Sequence, residues 1–430
     1  MFNKNFLSVG IDVGSDFSFM SIVDPNGTVV LKPFKIIHNN PDSLEKAISA
    51  IKKAEELYSL ESHTFLESTG IYHFPLFCYF VDCGLSVSII NPIITHSVNN
   101  ASIRKVKNDK FDSLSIAKLG LSHDIPISQF PSKLVLEIRS LTRKYYDLTD
   151  ERSSHINKLK ADLHTVFPQY LDVFCDVTGK TSMMILRQYP TPTKILRGHK
   201  TTMINRISKA SRKGITKATQ CYEKLYHAAQ SALSFGCQID SIYFNISLTL
   251  DIIEKLDSAI HAILQRIEQL IDSNASETFI KQIHLLTTIP GVGFLSAVTI
   301  LCEIGDFSAF KNPKQLFAYF GLDPEVNQSG KFTATQMHMS KRGSRFARRA
   351  LFAIALASIR KTRNGNAINP YLYDYYEKKS SAKPKMVALG AIMHKVCNII
   401  FAVLRDKKAF ELRSPEEHCS QYQRLTQKAA

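Results

Sequence analysis

Alternation of apolar and polar residues dominates the first ninety positions. Phe6–Asp12 and Phe17–Val23 read as strands, the second running toward Asp24-Pro25-Asn26-Gly27. Asn-Gly is the favoured hairpin dipeptide, both central positions needing positive φ, and Thr28–Ile37 supplies the returning strand. The period then changes. Ala47, Ile51, Ala54 and Leu57 fall at helical spacing, which predicts a helix from about Asp42 to Tyr58. A strand at Thr64–Glu67, a helix at Tyr72–Cys83, a strand at Ser86–Ile90 and a helix from about Lys110 follow.

Three antiparallel strands and then alternating helix and strand is the order of a ribonuclease-H-like fold. From Leu134 the rhythm is helical. Leu134, Ile138, Leu141, Tyr145, Leu148, Ile156, Leu159, Leu163 and Val166 keep three-four spacing, interrupted once near Arg152, until Pro168 stops the helix. Ile253, Leu256, Ile260, Ile263, Ile267 and Leu270 repeat it. Two long helices with heptad-like seams predict a coiled coil, within the chain or between chains, and each alone equally fits a bundle core. Turn signals stand between them at Tyr189-Pro190-Thr191-Pro192, and a third unit runs from about Leu285 to Arg405. The expected architecture is α/β plus α: an α/β domain at 1–125, a helical coiled-coil middle with a basic insert at 130–275, a mainly helical domain at 283–410 and a polar tail at 411–430.

Composition narrows the class. A chain of 430 residues, 44% of them hydrophobic, is long enough for two or three domains with cores of their own. Its first residues carry no basic-then-apolar signal, and no stretch approaches the ~18 uninterrupted apolar residues of a membrane span. The expectation is a cytoplasmic protein with no membrane partner. Eight cysteines without a CxxC pair read as reduced thiols rather than a disulfide framework.

Charge changes the picture more. Between Val177 and Tyr222 lie ten basic residues and no acid, and between Val326 and Tyr373 nine basic residues and no acid. Of the 54 Lys and Arg these hold nineteen, and the remaining 35 face all 38 Asp and Glu. The excess is thus confined to two patches, which suits a polyanion whose condensed counterions are released on binding. Arg197, Lys200, Arg206, Lys209, Arg212 and Lys213 are the candidate contacts of the first patch.

The candidate chemistry lies in carboxylates and one serine. Asp12 ends the first strand in Gly10-Ile11-Asp12-Val13-Gly14, and Glu67 ends another in Phe65-Leu66-Glu67-Ser68-Thr69-Gly70. Asp109 and Asp112, three apart at a helix start, can share one face or simply cap the helix. Acids so placed can converge on hard divalent cations such as Mg²⁺. Asp-Val-Gly-Ser also fits the first phosphate loop of sugar kinases and actin-like ATPases, but no second glycine-rich loop accompanies it. Downstream, Leu285 to Ala297 with Pro290-Gly291-Val292-Gly293 has the form of a helix-hairpin-helix, whose amides face phosphate, or of a tight turn between packed helices. Gly321-Leu322-Asp323-Pro324-Glu325-Val326-Asn327-Gln328-Ser329-Gly330-Lys331 places Ser329 on a turn-rich loop. Lys341, Arg342, Arg345, Arg348 and Arg349 follow, and arginine forks suit a phosphate under attack. Tyr371, Tyr373, Tyr375 and Tyr376 offer other hydroxyls, in an alternation that fits packing.

Together these residues resemble the DEDD transposases of the IS-one-ten insertion-sequence type, relatives of Piv-type DNA invertases, over nearly the whole chain. Asp12, Glu67, Asp109 and Asp112 match the four acids, and Pro290-Gly291-Val292-Gly293 the helix-hairpin-helix. Gln328-Ser329-Gly330 matches the catalytic-serine motif, and Ser340 to Leu351 the basic helix beyond it. The resemblance implies a RuvC-like N-terminal domain, a coiled-coil middle and a C-terminal transposase domain. It implies a Mg²⁺-dependent recombinase acting on donor and target DNA, guided by a noncoding bridge RNA. It further implies dimers assembling to tetramers, and strand transfer through a phosphoserine at Ser329. A metal-dependent structure-specific nuclease using the same acids, or a non-catalytic nucleic-acid scaffold, would share much of this pattern.

Overall fold

The computed structural model describes residues 4–68, 71–90, 109–123, 125, 132–235, 237–324, 328–329, 332–333, 339–414 and 416–420. The chain divides into two compact units, 1–131 and 132–430.

The first unit is α/β. Strands β1 (Leu7–Val13), β2 (Phe17–Val23), β3 (Val29–Ile37), β4 (Ser62–Glu67) and β5 (Ser86–Ile90) form one mixed sheet in the order β3-β2-β1-β4-β5. The first three are antiparallel, and β4 and β5 join parallel to β1. Helices α1 (Pro41–Tyr58), α2 (His73–Asp82) and α3 (Asp109–Ser122) complete the unit. The hairpin between β2 and β3 differs from the expected turn: Gly27 is left-handed (φ +84°), whereas Asn26 is not. The Asp24 carboxylate accepts the amides of Asn26 (3.0 Å) and Thr28 (2.7 Å), which holds a longer loop that needs one positive φ.

β1 explains the layering. Its odd residues Leu7, Val9, Ile11 and Val13 are buried in a core shared with Ile48 and Ile51 of α1 and Phe77 and Phe80 of α2. Its even residues Ser8 and Gly10 are small, because α3 lies directly on them. The Ser8 hydroxyl donates to the Ala117 carbonyl at 2.6 Å, and Ser21, the β2 neighbour of Gly10, shares a 2.8 Å hydrogen bond with Ser113. A Cβ on Gly10 would stand 2.2 Å from both the Ala117 amide nitrogen and the Ser113 carbonyl oxygen.

The second unit is helical and has two cores. Helices Lys133–Val166 and Asp240–Asn274 pack along each other within the chain. They run antiparallel: Ile138 shares one core with Ile267 and Ile271, whereas Leu163 and Val166 share the other with Tyr243 and Ile246. The interruption expected near Arg152 does not break the helix. The polar stretch there lies on a stem between the two cores, where Leu256 and Ile260 are only half-buried and Arg152 pairs with Asp257. The basic insert folds at the far end of the stem as a cap of short helices around Tyr170, Ile185, Ile207 and Leu225. Thr191 caps the helix Pro192–Arg197, so the expected Tyr-Pro-Thr-Pro turn becomes a helix start. The other core is centred on Lys385–Asp406, whose length and apolar character would suffice to cross a bilayer. It contributes Ile392, Val396, Ile400 and Leu404 to the interior. All eight cysteines are free.

One substitution tests the seat of α3. Gly10→Ala should lower the stability of the first unit by roughly 1–3 kcal/mol, because the intruding methyl meets backbone that cannot rotate away. Thermal unfolding followed by hydrogen exchange in α3 measures it; wild-type exchange would mean that the close approach is not required.

Candidate active site and nucleic-acid surfaces

Register brings the first two acids together. Ile11 pairs with Leu66, so Asp12 and Glu67, the next residues, stand side by side at the carboxyl ends of neighbouring parallel strands. Such strands are about 4.8 Å apart. Both acids lie on the face of Gly10 and Phe65, the face α3 covers, since Gly120 of that helix meets the Phe65 ring. α3 runs opposite to β1, with Ala117 over Ser8 and Ser113 over Gly10. Four helical residues advance about 6 Å and two strand residues about 6.6 Å. The turn before Ser113 therefore comes to the level of Asp12, and that turn holds Asp109 and Asp112. Asp12, Glu67 and Asp112 are all half-buried. The positive end of the α3 dipole faces this corner and favours negative charge there.

The donor set is carboxylate oxygen, which suits a hard cation rather than zinc or copper. Among the described residues no three His, Cys, Asp or Glu side chains already stand within reach of one ion, and the side chain of Asp109 lies outside the described residues. Mg²⁺ does not require a protein cage, since it is commonly held by one or two carboxylates with water and substrate phosphate. The adjacent Asp12 and Glu67 fit that requirement.

In the second unit, Gln328–Ser329 pairs with Phe332–Thr333 in a short antiparallel ladder, with Ser329 opposite Phe332. The Ser329 side chain and all of Lys331 lie outside the described residues. Helix Arg345–Ser358, capped by the Ser344 hydroxyl, presents Arg345, Arg348 and Arg349 as their spacing predicts, but the structure has already given them partners. Arg345 donates to Asp147 at 3.1 Å and Arg349 to Asp150 at 2.6 Å, both acids on helix Lys133–Val166. Arg348 donates to the carbonyls of Phe320 (3.1 Å) and Gly343 (2.7 Å), and burial lowers its pKa. Lys341 and Arg342 remain exposed. Below them Arg143 forks onto the buried Glu303 (2.7 and 2.9 Å), which is 3% exposed, and that hydrogen bond raises the Arg143 pKa. Asp147 and Asp150 are the partners that sequence reading missed. Their three-residue spacing on one helix, matched to the four-residue spacing of Arg345 and Arg349 on another, was the available signal.

The glycine-rich motif is a turn between helices Glu277–Thr287 and Phe294–Ile304. Gly291 takes φ +101°, and a Cβ there would meet the Ser358 hydroxyl at 2.3 Å. That hydroxyl donates to Pro290 (2.9 Å) and Val292 is buried, so one side of the turn packs on helix Arg345–Ser358. Gly293 and Phe294 face outward.

The cap's cations divide sharply. Arg187 is matched by Asp251 and Glu254 (2.5 and 2.8 Å), and Arg206 donates to Gln188 and Tyr189 (2.7 and 3.0 Å). Lys200 stands 5.7 Å above the Tyr222 ring. Arg197, Lys209, Arg212, Lys213 and Lys217 have no ion-pair partner among the described residues. The last three flank Gly214 on a wholly exposed turn with a left-handed Arg212 (φ +53°), and Ile215 beside them is 58% exposed.

Comparison with known proteins meets these sites. The chain is 23% identical to an insertion element IS116 protein of Streptomyces clavuligerus over 95% of this chain and 96% of that protein. It is 25% identical to the pilin gene-inverting protein of Moraxella bovis over 82% and 83%. A 77-residue segment is 36% identical to the transposase for insertion sequence element IS1111A of Coxiella burnetii, covering 18% of this chain and 21% of that protein. A DEDD transposase family model of the IS110 type matches residues 9–168, which hold all four acids. A second model, described as Transposase IS116/IS110/IS902 family, matches residues 283–377, which hold the glycine turn, Ser329 and the basic helix. The chain belongs to the IS116/IS110/IS902 family of transposases.

Proposed function

We propose that this protein is a DNA recombinase that cuts and rejoins strands through a phosphoserine at Ser329, assisted by a divalent cation held at the first unit's acids. The observation that carries the metal half is the pairing of Asp12 with Glu67 at adjacent parallel strand ends, beneath the first turn of α3. The strand order β3-β2-β1-β4-β5 supports a ribonuclease-H-like, RuvC-like reading of that unit. Asp12, Glu67, Asp109 and Asp112 would hold Mg²⁺, which supplies positive charge for the oxygens entering and leaving phosphorus.

The serine's part follows from bond conservation. The Ser329 oxygen bonds to phosphorus as one P–O bond of the phosphodiester breaks, and the departing oxygen takes a proton to become a hydroxyl. A hydroxyl on the partner strand then attacks the serine phosphate, returning the proton to serine. One phosphoester replaces another at each step, so rejoining needs no nucleotide cofactor.

Guidance by a bridge RNA pairing with donor and target DNA, and assembly of dimers into tetramers, belong to the same reading. Base pairing would set sequence while the protein grips backbone and shape. The unpaired cations of the cap turn suit phosphates better than the carboxylate-matched arginines of helix Arg345–Ser358.

Incubating the protein, Mg²⁺ and the flanking noncoding RNA with element-end DNA, followed by nuclease digestion, should leave a DNA–protein adduct. Ser329→Ala should abolish the adduct and Asp12→Asn should abolish turnover while nucleic-acid binding persists. Free cut ends that survive Ser329→Ala would identify a nuclease instead. For the cap, replacing Lys209, Arg212, Lys213 and Lys217 together by Ala should flatten the dependence of log Kd on log salt by up to about 3–4, near 0.9 for each phosphate left without its cation. Arg187→Ala, which removes a cation already paired, should leave that slope unchanged. Equal slopes for the quadruple variant and wild type would remove the cap from the binding surface.

A further inference from the structure

Between helices Arg345–Ser358 and Pro370–Ser380 the chain folds back on itself. Lys361 and Ala367 form an antiparallel bridge, framed by the Thr362 amide donating to the Asn366 carbonyl (2.8 Å) and the Ile368 amide to the Arg360 carbonyl (2.9 Å). The Gly365 amide donates to the Thr362 carbonyl at 3.0 Å, and Gly365 takes φ +83°, so residues 362–365 close a tight turn. Both ends of this ribbon are anchored. Ser358 is fully buried, and the Asn369 amide donates to its carbonyl at 3.1 Å. The buried Asn369 side chain in turn accepts from the Leu372 amide at 3.1 Å, capping the next helix. Lys361 stands 4.6 Å over the Tyr373 ring. The Ser358 hydroxyl also donates to Pro290, so the ribbon and the glycine-rich turn share one anchor.

The tip is as open as the base is fixed. Residues 360–366 are all exposed, and a Cβ on Gly365 would find no atom within 4 Å. Arg360-Lys361-Thr362-Arg363-Asn364-Gly365-Asn366 carries three cations and no acid. The side chains of Arg360, Arg363, Asn364 and Asn366 have no hydrogen-bond or ion-pair partner among the described residues, unlike the arginines of the preceding helix. Arginine and asparagine are the side chains that match base edges: arginine forks onto guanine O6 and N7, asparagine onto adenine N6 and N7. The dimensions agree. A B-DNA major groove about 12 Å wide and about 8.5 Å deep admits a two-stranded ribbon, and three extended residues from Arg360 to Arg363 reach about 10 Å. The minor groove, about 6 Å wide, is too narrow, and the major groove of A-form RNA is closed to side chains. We propose that residues 360–366 enter the major groove of duplex DNA, with Arg363, Asn364 and Asn366 facing base edges and Arg360 at a phosphate. The inference rests on the reading that this protein acts on DNA, and adds that the protein itself reads sequence beside any guide RNA.

The test uses full-length protein with its flanking RNA and element-end duplex DNA methylated at guanine N7, a major-groove position that takes no part in Watson–Crick pairing with a guide. Wild-type protein should reject DNA methylated at one or more guanines. Arg363→Ala should lose that rejection, and should bind unmodified element-end DNA about 10-fold to 100-fold more weakly with scrambled duplex unaffected. Asn364→Ala with Asn366→Ala should reduce the preference for element-end over scrambled duplex by about tenfold or more. Arg360→Ala should weaken both duplexes alike and flatten the dependence of log Kd on log salt by about 0.9. These positions are exposed, so every variant should unfold with the wild type. A wild-type methylation pattern in Arg363→Ala, no rejection by the wild type, or equal weakening on both duplexes would overturn the base-edge contact. Loss of duplex RNA binding in Arg363→Ala with DNA binding intact would put the hairpin on RNA and overturn it too. The adduct assay keeps the two readings apart. A Ser329-dependent adduct with a hairpin indifferent to methylation overturns the hairpin alone, whereas methylation interference without any adduct overturns the phosphoserine alone.

Discussion

At Gly10 no side chain fits between the first strand and the helix that carries two of the four acids. The missing Cβ of Gly10 lets α3 come down onto β1 until backbone meets strand, and the hydroxyls of Ser8, Ser21 and Ser113 satisfy the polar groups thereby buried. The relative position of the first unit's candidate acids follows from that seat. Asp12 is two residues beyond Gly10 on the same face, Glu67 is its register neighbour, and the start of α3 overhangs both. A helix raised even slightly by a larger residue would move Asp109 and Asp112 away from Asp12 and Glu67.

The second unit distributes cations by a similar logic of local neighbours. Two of the three arginines of helix Arg345–Ser358 have their charge matched, by Asp147 and Asp150, and the third is held by two carbonyls. The ion pairs are solvent-exposed, with Arg345 at 71% and Asp147 at 50%, and such pairs contribute only about 0–1 kcal/mol. They lower the local field without locking the helix. The cap turn has no such neighbours among the described residues, and its charge faces water.

Much of this was legible in the sequence, for identifiable reasons. The strand and helix periods of residues 6–122 placed every described element of the first unit within a few residues, because one face of each is buried and the pattern is strict. The two long helices were equally plain. What escaped were features fixed by partners remote along the chain. Gly10 reads only as a small residue inside the first strand until α3, a hundred residues later, is laid on it. The polar run around Arg152 looks like a break because its partner, Asp257, is also a hundred residues away. Arg348 has the same periodicity as Arg345 and Arg349, and nothing in the spacing tells a guanidinium turned to carbonyls from one turned to a carboxylate. The candidate acids could be named from sequence, but the adjacency of Asp12 and Glu67 needed the register between β1 and β4.

The difference between Arg348 and its two neighbours has an electrostatic consequence. An arginine bound to a carboxylate contributes almost no net charge beyond its immediate surroundings, whereas one bound to two carbonyls keeps its full positive charge while losing its freedom. Helix Arg345–Ser358 therefore carries one cation fixed by two carbonyls and two cations matched by carboxylates. Bulk attraction for the polyanion can then come from elsewhere, from the unmatched turn of the cap. The cations matched by carboxylates and the cations left facing water thus lie on different elements of the second unit.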